Sequence, residues 1–458
     1  GELRPVNLGG GDPTDPSLVG TWPVPAATAA CLLIRADAYH QVGGLDEAYV
    51  YGTEDVDLCL ALREAGHDVV VNGDAALFHQ EFATQRTVPQ ADREARWLRT
   101  LAYFSGKWGA RVGRDIKLSK IDQGGLRWSP ERSGTIGITL TDKRRAAGWG
   151  DWYTAHELGD AFEAAGWSVR YLETGKDEDR DSLRGLDVLV CLLDGFDPRA
   201  AAETTVTIAW VRNWTDRWLD RPWVGSFDII IPSSSISASM IIDRTDAVPR
   251  VLPLATNPSR FAMVAPDPAL ASDYVLTANL WGEDRSTFGM LDVKPTDEFA
   301  IYGKGWDREP SAEAHWRGVA DYDLLPTIYS STKIVLDDTA SPTLPFGALN
   351  SRVFDALACG TLVITDNAVG SNEVFDGHLP TFESGEELRG LLDRYLDDPV
   401  QRNALAAQLR DVVLARHTYE HRAAEIISAA RDAINAPRVS IKIGVPSEAE
   451  AETWGDTH

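Results

Sequence analysis

The sequence predicts an α/β protein: two parallel sheets in tandem, each covered by helices on both faces, with a shorter α/β fragment ahead of them. Three observations carry this reading. Short apolar runs alternate with amphipathic stretches from Thr135 onward, and the alternation restarts at Tyr274. The runs are continuous in Val, Ile and Leu, as in strands buried on both faces. Two such units in tandem leave a crevice at the carboxyl ends of their strands, where α/β proteins bind ligands.

The elements follow in order. Residues 1–110 open on a Gly/Pro-rich stretch at Gly9–Pro13. They then give an apolar run from Ala29 to Ile34 that reads as a strand, a helix after Asp55 and a strand at Val69–Val71. Residues 111–133, with Gly113, Gly124, Gly125 and Pro130, read as a linker. Residues 134–257 form the first α/β domain. Its strand Ile136–Leu140 leads to helix Tyr153–Ala165, then to strands Ser168–Leu172, Val188–Leu193, Thr207–Val211 and Ile229–Ile231. Residues 258–436 form the second, with strands from Tyr274, Phe299–Tyr302, Ile334–Leu336 and Thr361–Thr365, helix Ser351–Ala358, and further helices from Gly385 to Ala436.

Residues 437–458 are expected to begin a further, truncated repeat. Ser440–Asp456 aligns without a gap on Thr135–Asp151, and Ile136, Ile138, Trp149, Gly150 and Asp151 match Ile441, Ile443, Trp454, Gly455 and Asp456. Similarity on this scale implies duplicated domains and a segment of a longer multi-domain polypeptide.

Composition excludes several classes. A formal charge of -25 over 458 residues, with a pI near 4.7, argues against a nucleic-acid partner, whose phosphates it would repel. No uninterrupted apolar stretch reaches the ~18 residues a membrane span needs, and no signal peptide is visible. Cys31, Cys59, Cys191 and Cys359 lack metal-ligand spacing and read as buried free thiols of a reducing cytosol.

The chemistry concentrates at Asn350-Ser351-Arg352-Val353-Phe354-Asp355, which opens a helix after a loop holding Pro342, Pro345 and Gly347. Free backbone N–H groups and the positive dipole end at a helix start can seat a diphosphate. Arg352 in the first turn offers a planar fork for phosphate oxygens. Asp355, a turn further, can accept from ribose hydroxyls. The bland alternative is a capped helix with a solvated arginine.

The run Ala358-Cys359-Gly360-Thr361-Leu362-Val363-Ile364-Thr365-Asp366, followed by Gly370 to Glu373, resembles the signature of group-one glycosyltransferases with the GT-B fold. Ala255–Phe261, Tyr302–Gly305 and Trp316–Tyr329 resemble other segments of that family, in family order. The form Asn350-x-Arg352-x-Phe354-Asp355 is similar to a spore-coat-type subgroup. One position departs: the family's first acidic residue falls on Gly347, which puts its donor contact in doubt. The resemblance implies a GT-B fold, two Rossmann-like domains with an interdomain cleft. It also implies catalytic roles for Arg352 and Arg285, and donor binding by Asn350, Ser351 and Asp355 with the loop Gly148, Gly150 and Asp151. Arg side chains and a helix start stabilise the departing diphosphate in such a site, with no metal or other cofactor and with retention of anomeric configuration. His156, inside the helix after that loop, reads first as a structural histidine.

Gly43-Gly44-Leu45-Asp46-Glu47 and Glu54-Asp55-Val56-Asp57-Leu58, with Arg63 and Gly66, resemble the carboxyl half of a family-two glycosyltransferase of the GT-A fold. That resemblance implies Asp55 as general base and His79 in a divalent-metal site (Mg or Mn) of a complete GT-A module. The amino half, with its metal-binding Asp pair, is missing, so this partial GT-A fragment is expected to be inert here.

The expectation is thus a multi-domain glycosyltransferase. It would move a sugar from a nucleotide-diphosphate sugar to a glycan or lipid-linked acceptor in bacterial surface or cell-wall polysaccharide synthesis. Its place would be the cytoplasm or the inner face of the cell membrane, peripheral through missing parts. The competing reading is a non-catalytic GT-B-like scaffold or glycan-binding module; a nucleotide-sugar epimerase ranks third. Among the fifteen tryptophans, the stretch Trp210–Trp218 with Arg212 and Arg217 is the one expected at an acceptor.

Overall fold

The apolar runs of the second and third regions become strands, and all of them pair in parallel. In the computed structural model the described residues are 20–50, 52–75, 89–123, 133–145, 149–202, 204–245, 247–280, 285–340 and 342–435. The repeat expected at 437–458 lies outside them. The chain divides into two compact units, residues 1–125 with 434–458, and residues 126–433.

The first unit holds β1 (Thr21–Pro23), α1 (Ala36–Gln41), α2 (Glu54–Glu64), β2 (Val70–Asn72) and α3 (Gln90–Gln123). β1 and β2 pair antiparallel. Two expectations are corrected. Ala29–Cys31 is a 3-10 turn capped by Thr28, not the start of a strand, because Asp55 of α2 accepts the Ala29 N–H at 2.9 Å and fixes a turn there. The stretch read as a linker is helical as far as Gln123: Gly113 is outweighed by Trp108, Val112 and Leu118, apolar residues at helical spacing. Asp57 pins α2 to α3. Its buried carboxylate accepts from Tyr49 Oη at 2.8 Å and Trp108 Nε1 at 2.6 Å, and pairs with Lys107 Nζ.

The first half of the second unit comprises β3 (Thr135–Leu140), α4 (Gly150–Ala164), β4 (Ser168–Glu173), β5 (Val188–Cys191), β6 (Val206–Val211), α5 (Thr215–Leu219), β7 (Ile229–Pro232) and α6 (Ser235–Arg244). The strand order is β4-β3-β5-β6-β7, parallel throughout. β5 and β6 are buried along their whole length, which is why they read as unbroken apolar runs.

The second half adds β8 (Ser272–Thr277), α7 (Ser286–Met290), β9 (Phe299–Tyr302), α8 (Leu325–Ser330), β10 (Thr332–Asp337), α9 (Ser351–Ala358), β11 (Leu362–Thr365), α10 (Ala368–Phe375), α11 (Gly385–Asp397), α12 (Pro399–Arg416) and α13 (Tyr419–Asn435). Its four strands run in the order β11-β10-β8-β9, again parallel. Tyr274, Leu276, Ile334, Leu336 and Ile364 line one face of this sheet and Val275, Val335 and Val363 the other, all within one apolar core.

The two halves are stapled where the chain passes between them. Thr256 pairs with the segment leading into α13, its N–H on His417 O and its carbonyl taking the Tyr419 N–H, each at 3.0 Å. Arg422 is 1 % exposed and donates to Pro253 O, Leu254 O and Arg416 O. Burial, with this arginine alongside, pushes the His417 imidazole down to about 3.

Part of the aromatic-rich stretch expected at an acceptor is core, while Trp214 is half-buried and Arg217 lies exposed over its ring. Trp210 is fully buried with Nε1 on Leu252 O at 3.0 Å, Trp218 is buried, and Arg212 donates inward to Thr154 and Leu192. Cys59, Cys191 and Cys359 are buried, whereas Cys31 is exposed on its turn.

Candidate functional site

β8 and β10 end side by side in the second half; β10 ends on Asp337 and Asp338 follows it. Apolar strands rarely finish on consecutive carboxylates, and here both are buried, Asp337 at 0 % and Asp338 at 1 % exposure. Charges so placed need partners. The arginines that the sequence singles out supply them. Arg352, in the first turn of α9, donates Nη1 to Asp337 Oδ1 at 2.7 Å and Nε to Thr277 O at 2.8 Å. Arg285, the residue before α7, donates Nη1 to Asp338 Oδ1 at 2.9 Å and holds Asn279 O with Nη2 and Nε. Asn350, at the N-cap of α9, donates its amide to Asp337 Oδ1 and Asp338 O.

Asp366, just past β11, completes the cluster by accepting the Thr339 N–H on both oxygens, at 3.0 and 3.1 Å. Burial, together with the nearby Asp337 charge, pushes its carboxyl up to about 7. Asp338 is likewise raised by burial, against the pull of Arg285 and Arg352. Burial works against the Arg352 charge as well, but Asp337 and Asp338 outweigh it and hold the guanidinium above its ordinary value.

The structure thus brings Arg285, Arg352, Asn350 and Ser351 together at the carboxyl ends of a parallel sheet. Asp355 is directed elsewhere. It is buried, accepts from Thr256 Oγ1 at 2.7 Å, and burial raises its carboxyl well above the usual range. Sequence reasoning assigned no role to Asp337, Asp338 or Asp366. The available signal was an acidic pair closing a buried apolar strand in an α/β pattern.

Gly347 explains the departure from the family pattern. Its φ is +72°, and a Cβ there would lie 3.0 Å from both Ile236 Cδ1 and Val369 Cγ1. The left-handed backbone there disfavours any side chain, and a Cβ would press on both neighbours. Gly303, at the end of β9, is similarly obligatory, with φ +155° and the Ala278 carbonyl where a Cβ would sit.

The opposite half contributes α4. Asp151, in its first turn, accepts the Thr141 N–H at 2.5 Å and so shapes the loop after β3. Gly150 is exposed at the helix start, and Gly148 lies outside the described residues. His156 is sandwiched between Trp152 and Tyr171, ring centroids 3.7 and 4.1 Å away, with Nδ1 on Trp152 O. Beside it a cavity of about 130 Å³ is lined by residues that include Arg145, Tyr153, Glu157, Arg260 and Tyr322.

In the first unit Asp55 accepts the N–H groups of Ala29 and Val56, one on each carboxylate oxygen. His79 lies outside the described residues, and among those described no group of three His, Cys, Asp or Glu side chains is placed to hold a metal ion. Nor is any described helix long and apolar enough to cross a membrane.

Residues 286–428 match the family model described as glycosyl transferase-like. The chain is 35 % identical over 80 residues to the O-antigen biosynthesis protein RfbC of Myxococcus xanthus, covering 17 % of this chain and 6 % of that protein. It is 43 % identical over 65 residues to the N-acetylglucosaminyl-diphospho-decaprenol L-rhamnosyltransferase of Mycobacterium tuberculosis, covering 14 % of this chain and 21 % of the relative. The chain thus spans a minor part of the length of these relatives. Among solved structures, a sucrose-phosphate synthase from Thermosynechococcus elongatus superposes with a TM-score of 0.50 at 15 % identity, over 66 % of this chain and all of that one. That likeness shows the fold, which is GT-B.

Proposed function

We propose, for a chain that resembles a multi-domain glycosyltransferase and has a GT-B second unit, that this unit transfers a sugar from a nucleotide-diphosphate sugar to a glycan or lipid-linked acceptor. The observation that carries the reading is the convergence of Arg285, Arg352 and the start of α9 at the ends of β8 and β10. Breaking a sugar–phosphate bond leaves a diphosphate whose charge must be met as it develops. Two guanidinium groups with no capacity to lose their protons, and the free N–H groups of α9, can do this without a metal. Retention of anomeric configuration is part of the proposal. So are a role in surface polysaccharide synthesis, which the O-antigen relative's name supports, and a place at the inner face of the membrane.

The arginines already have partners, which favours a second reading: a GT-B-like scaffold in which the Asp337–Arg352 and Asp338–Arg285 pairs are purely structural. Calorimetric titration of the full chain with nucleotide diphosphates and nucleotide-sugars separates the two. Binding by one nucleotide, weakened by Arg285→Lys and Arg352→Lys in folded protein, supports the transferase. No binding across the panel overturns it in favour of the scaffold.

A further inference from the structure

Asp338 and Thr339 follow β10 directly, and each keeps one buried polar atom, Asp338 Oδ2 and Thr339 Oγ1, without a well-aligned hydrogen-bond partner among the described residues; the neighbour of the Thr339 hydroxyl is the Asp366 carboxylate. Their exposures are 1 % and 2 %, so bulk water does not serve them either. Buried polar atoms in folded proteins are almost always partnered, and exceptions call for an explanation.

Most of the donor groups around them are committed. Arg285 spends Nε and Nη2 on Asn279 O and Nη1 on Asp338 Oδ1. Arg352 spends Nε on Thr277 O and Nη1 on Asp337. The Asn350 amide serves Asp337 and the Asp338 carbonyl, and the Thr339 N–H serves Asp366. What remains is a carboxylate oxygen that can only accept, and a hydroxyl that can accept or donate, on adjacent residues. They stand at the end of a central strand of the sheet, beside the two arginines. A pair of vicinal hydroxyls matches that set: one hydroxyl donates to the carboxylate and its neighbour pairs with the threonine.

We propose that Asp338 and Thr339 are hydroxyl-reading groups of the donor site, taking the vicinal hydroxyls of a nucleotide-sugar. The inference rests on the reading of the second unit as a nucleotide-sugar site. It also answers the Gly347 departure: the acidic contact that Gly347 cannot make is supplied from the end of β10. The hydroxyls belong either to the ribose or to the transferred sugar, and the two sources give different outcomes below.

Thr339→Val keeps the shape of the side chain and removes the unpartnered oxygen. Removing a buried polar atom that lacks a partner relieves the free protein, so the variant unfolds at higher denaturant than the wild type. The same change weakens ligand binding about tenfold, the scale of one lost hydrogen bond. Asp338→Asn keeps Oδ1 for Arg285 but removes the charge facing that buried guanidinium, so it lowers stability as well as affinity, and only its loss of affinity bears on the inference.

The probes are UDP, GDP, their 2′-deoxy forms, UDP-glucose and GDP-mannose, titrated calorimetrically against the full chain. If the ribose is read, the Thr339→Val defect appears with UDP or GDP and vanishes with the deoxy forms. If the sugar is read, it appears only with UDP-glucose or GDP-mannose; either pattern supports the inference. Wild-type binding that both variants match overturns it while leaving the donor-site reading intact. Absence of binding by the wild type overturns both.

Discussion

Asp366→Asn is expected to make the second unit more stable at pH 8 than the wild type, and equally stable near pH 4. The Asp366 carboxyl is raised from its ordinary 3.8 to about 7 by burial and by the Asp337 and Asp338 charges. Between those two values the folded protein binds a proton that the unfolded chain does not. Stability therefore falls as pH rises through this window, and the loss is complete above it. A shift of roughly three units corresponds to an upper bound of about 4 kcal/mol at ~1.4 kcal/mol per unit. The side chain is only partly buried, and solvent screening brings the expected difference to about 2 kcal/mol. Asparagine stays neutral throughout and keeps a carbonyl for the Thr339 N–H. Urea unfolding of both proteins from pH 4 to pH 8, followed by tryptophan fluorescence, gives the two curves. Parallel curves would refute the argument that this site crowds carboxylates beyond what its arginines neutralise.

Three further outcomes follow from single positions. Arg352→Ala strips Asp337 of its cation while the carboxylate stays buried, and should cost about 3–5 kcal/mol in denaturant unfolding. Arg352→Lys should recover part of that, because a charge remains without the planar fork. Gly347→Ala forces a Cβ into a left-handed residue against Ile236 and Val369, and should cost about 1–2 kcal/mol by the same assay. Asp57→Ala leaves Tyr49, Lys107 and Trp108 without their shared acceptor. It should lower the opening free energy of α2 and α3 by about 3 kcal/mol in native-state hydrogen exchange.

The second unit was legible because its strands are buried on both faces, so Val188–Cys191 and Val206–Val211 carry no polar interruption to confuse the period. The first unit was less so. Ala29–Ile34 has strand composition, but the Asp55 carboxylate on Ala29 N–H turns the chain, and a side chain 26 residues away leaves no local trace. The helix through 111–123 was hidden by Gly113 and the Gly-Gly pair after it in the sequence, and the cost of Gly113 is smaller than the packing of Trp108 and Leu118. At the site, the resemblance assigned Arg352, Arg285 and Asn350 to one diphosphate, and the structure gathers the three at the ends of β8 and β10. Residue types did not reveal that buried aspartates hold both arginines, because Asp337 and Asp338 gain significance only once β10 is known to end beside β8. Asp355 faces Thr256 for the same reason: the partner comes from a segment 99 residues earlier.

The contacts that hold the two halves of the second unit together beside this site are mostly polar. Arg260 bridges Glu157 on α4 and Asp323, each at 2.6 Å. Arg145 reaches Asp323 at 2.6 Å, and Tyr153 stacks on Tyr322 with centroids 3.8 Å apart. On α10, Glu373 accepts the Ser235 N–H in the first turn of α6, where a carboxylate is favoured by the helix dipole. Ser234 Oγ donates to Phe346 O beside it. Of these contacts the Glu373 clamp depends most on one charge at one helix end. Glu373→Gln keeps the size and an acceptor but removes the charge, at a cost of about 0.5–1 kcal/mol to the closed arrangement. Exchange of the α6 and Phe346 amides should then quicken by roughly two- to fivefold, while β3, β8 and β10 stay as protected as before. Unchanged exchange at α6 would mean that Arg260, Arg145 and the tyrosine stack hold the halves without it.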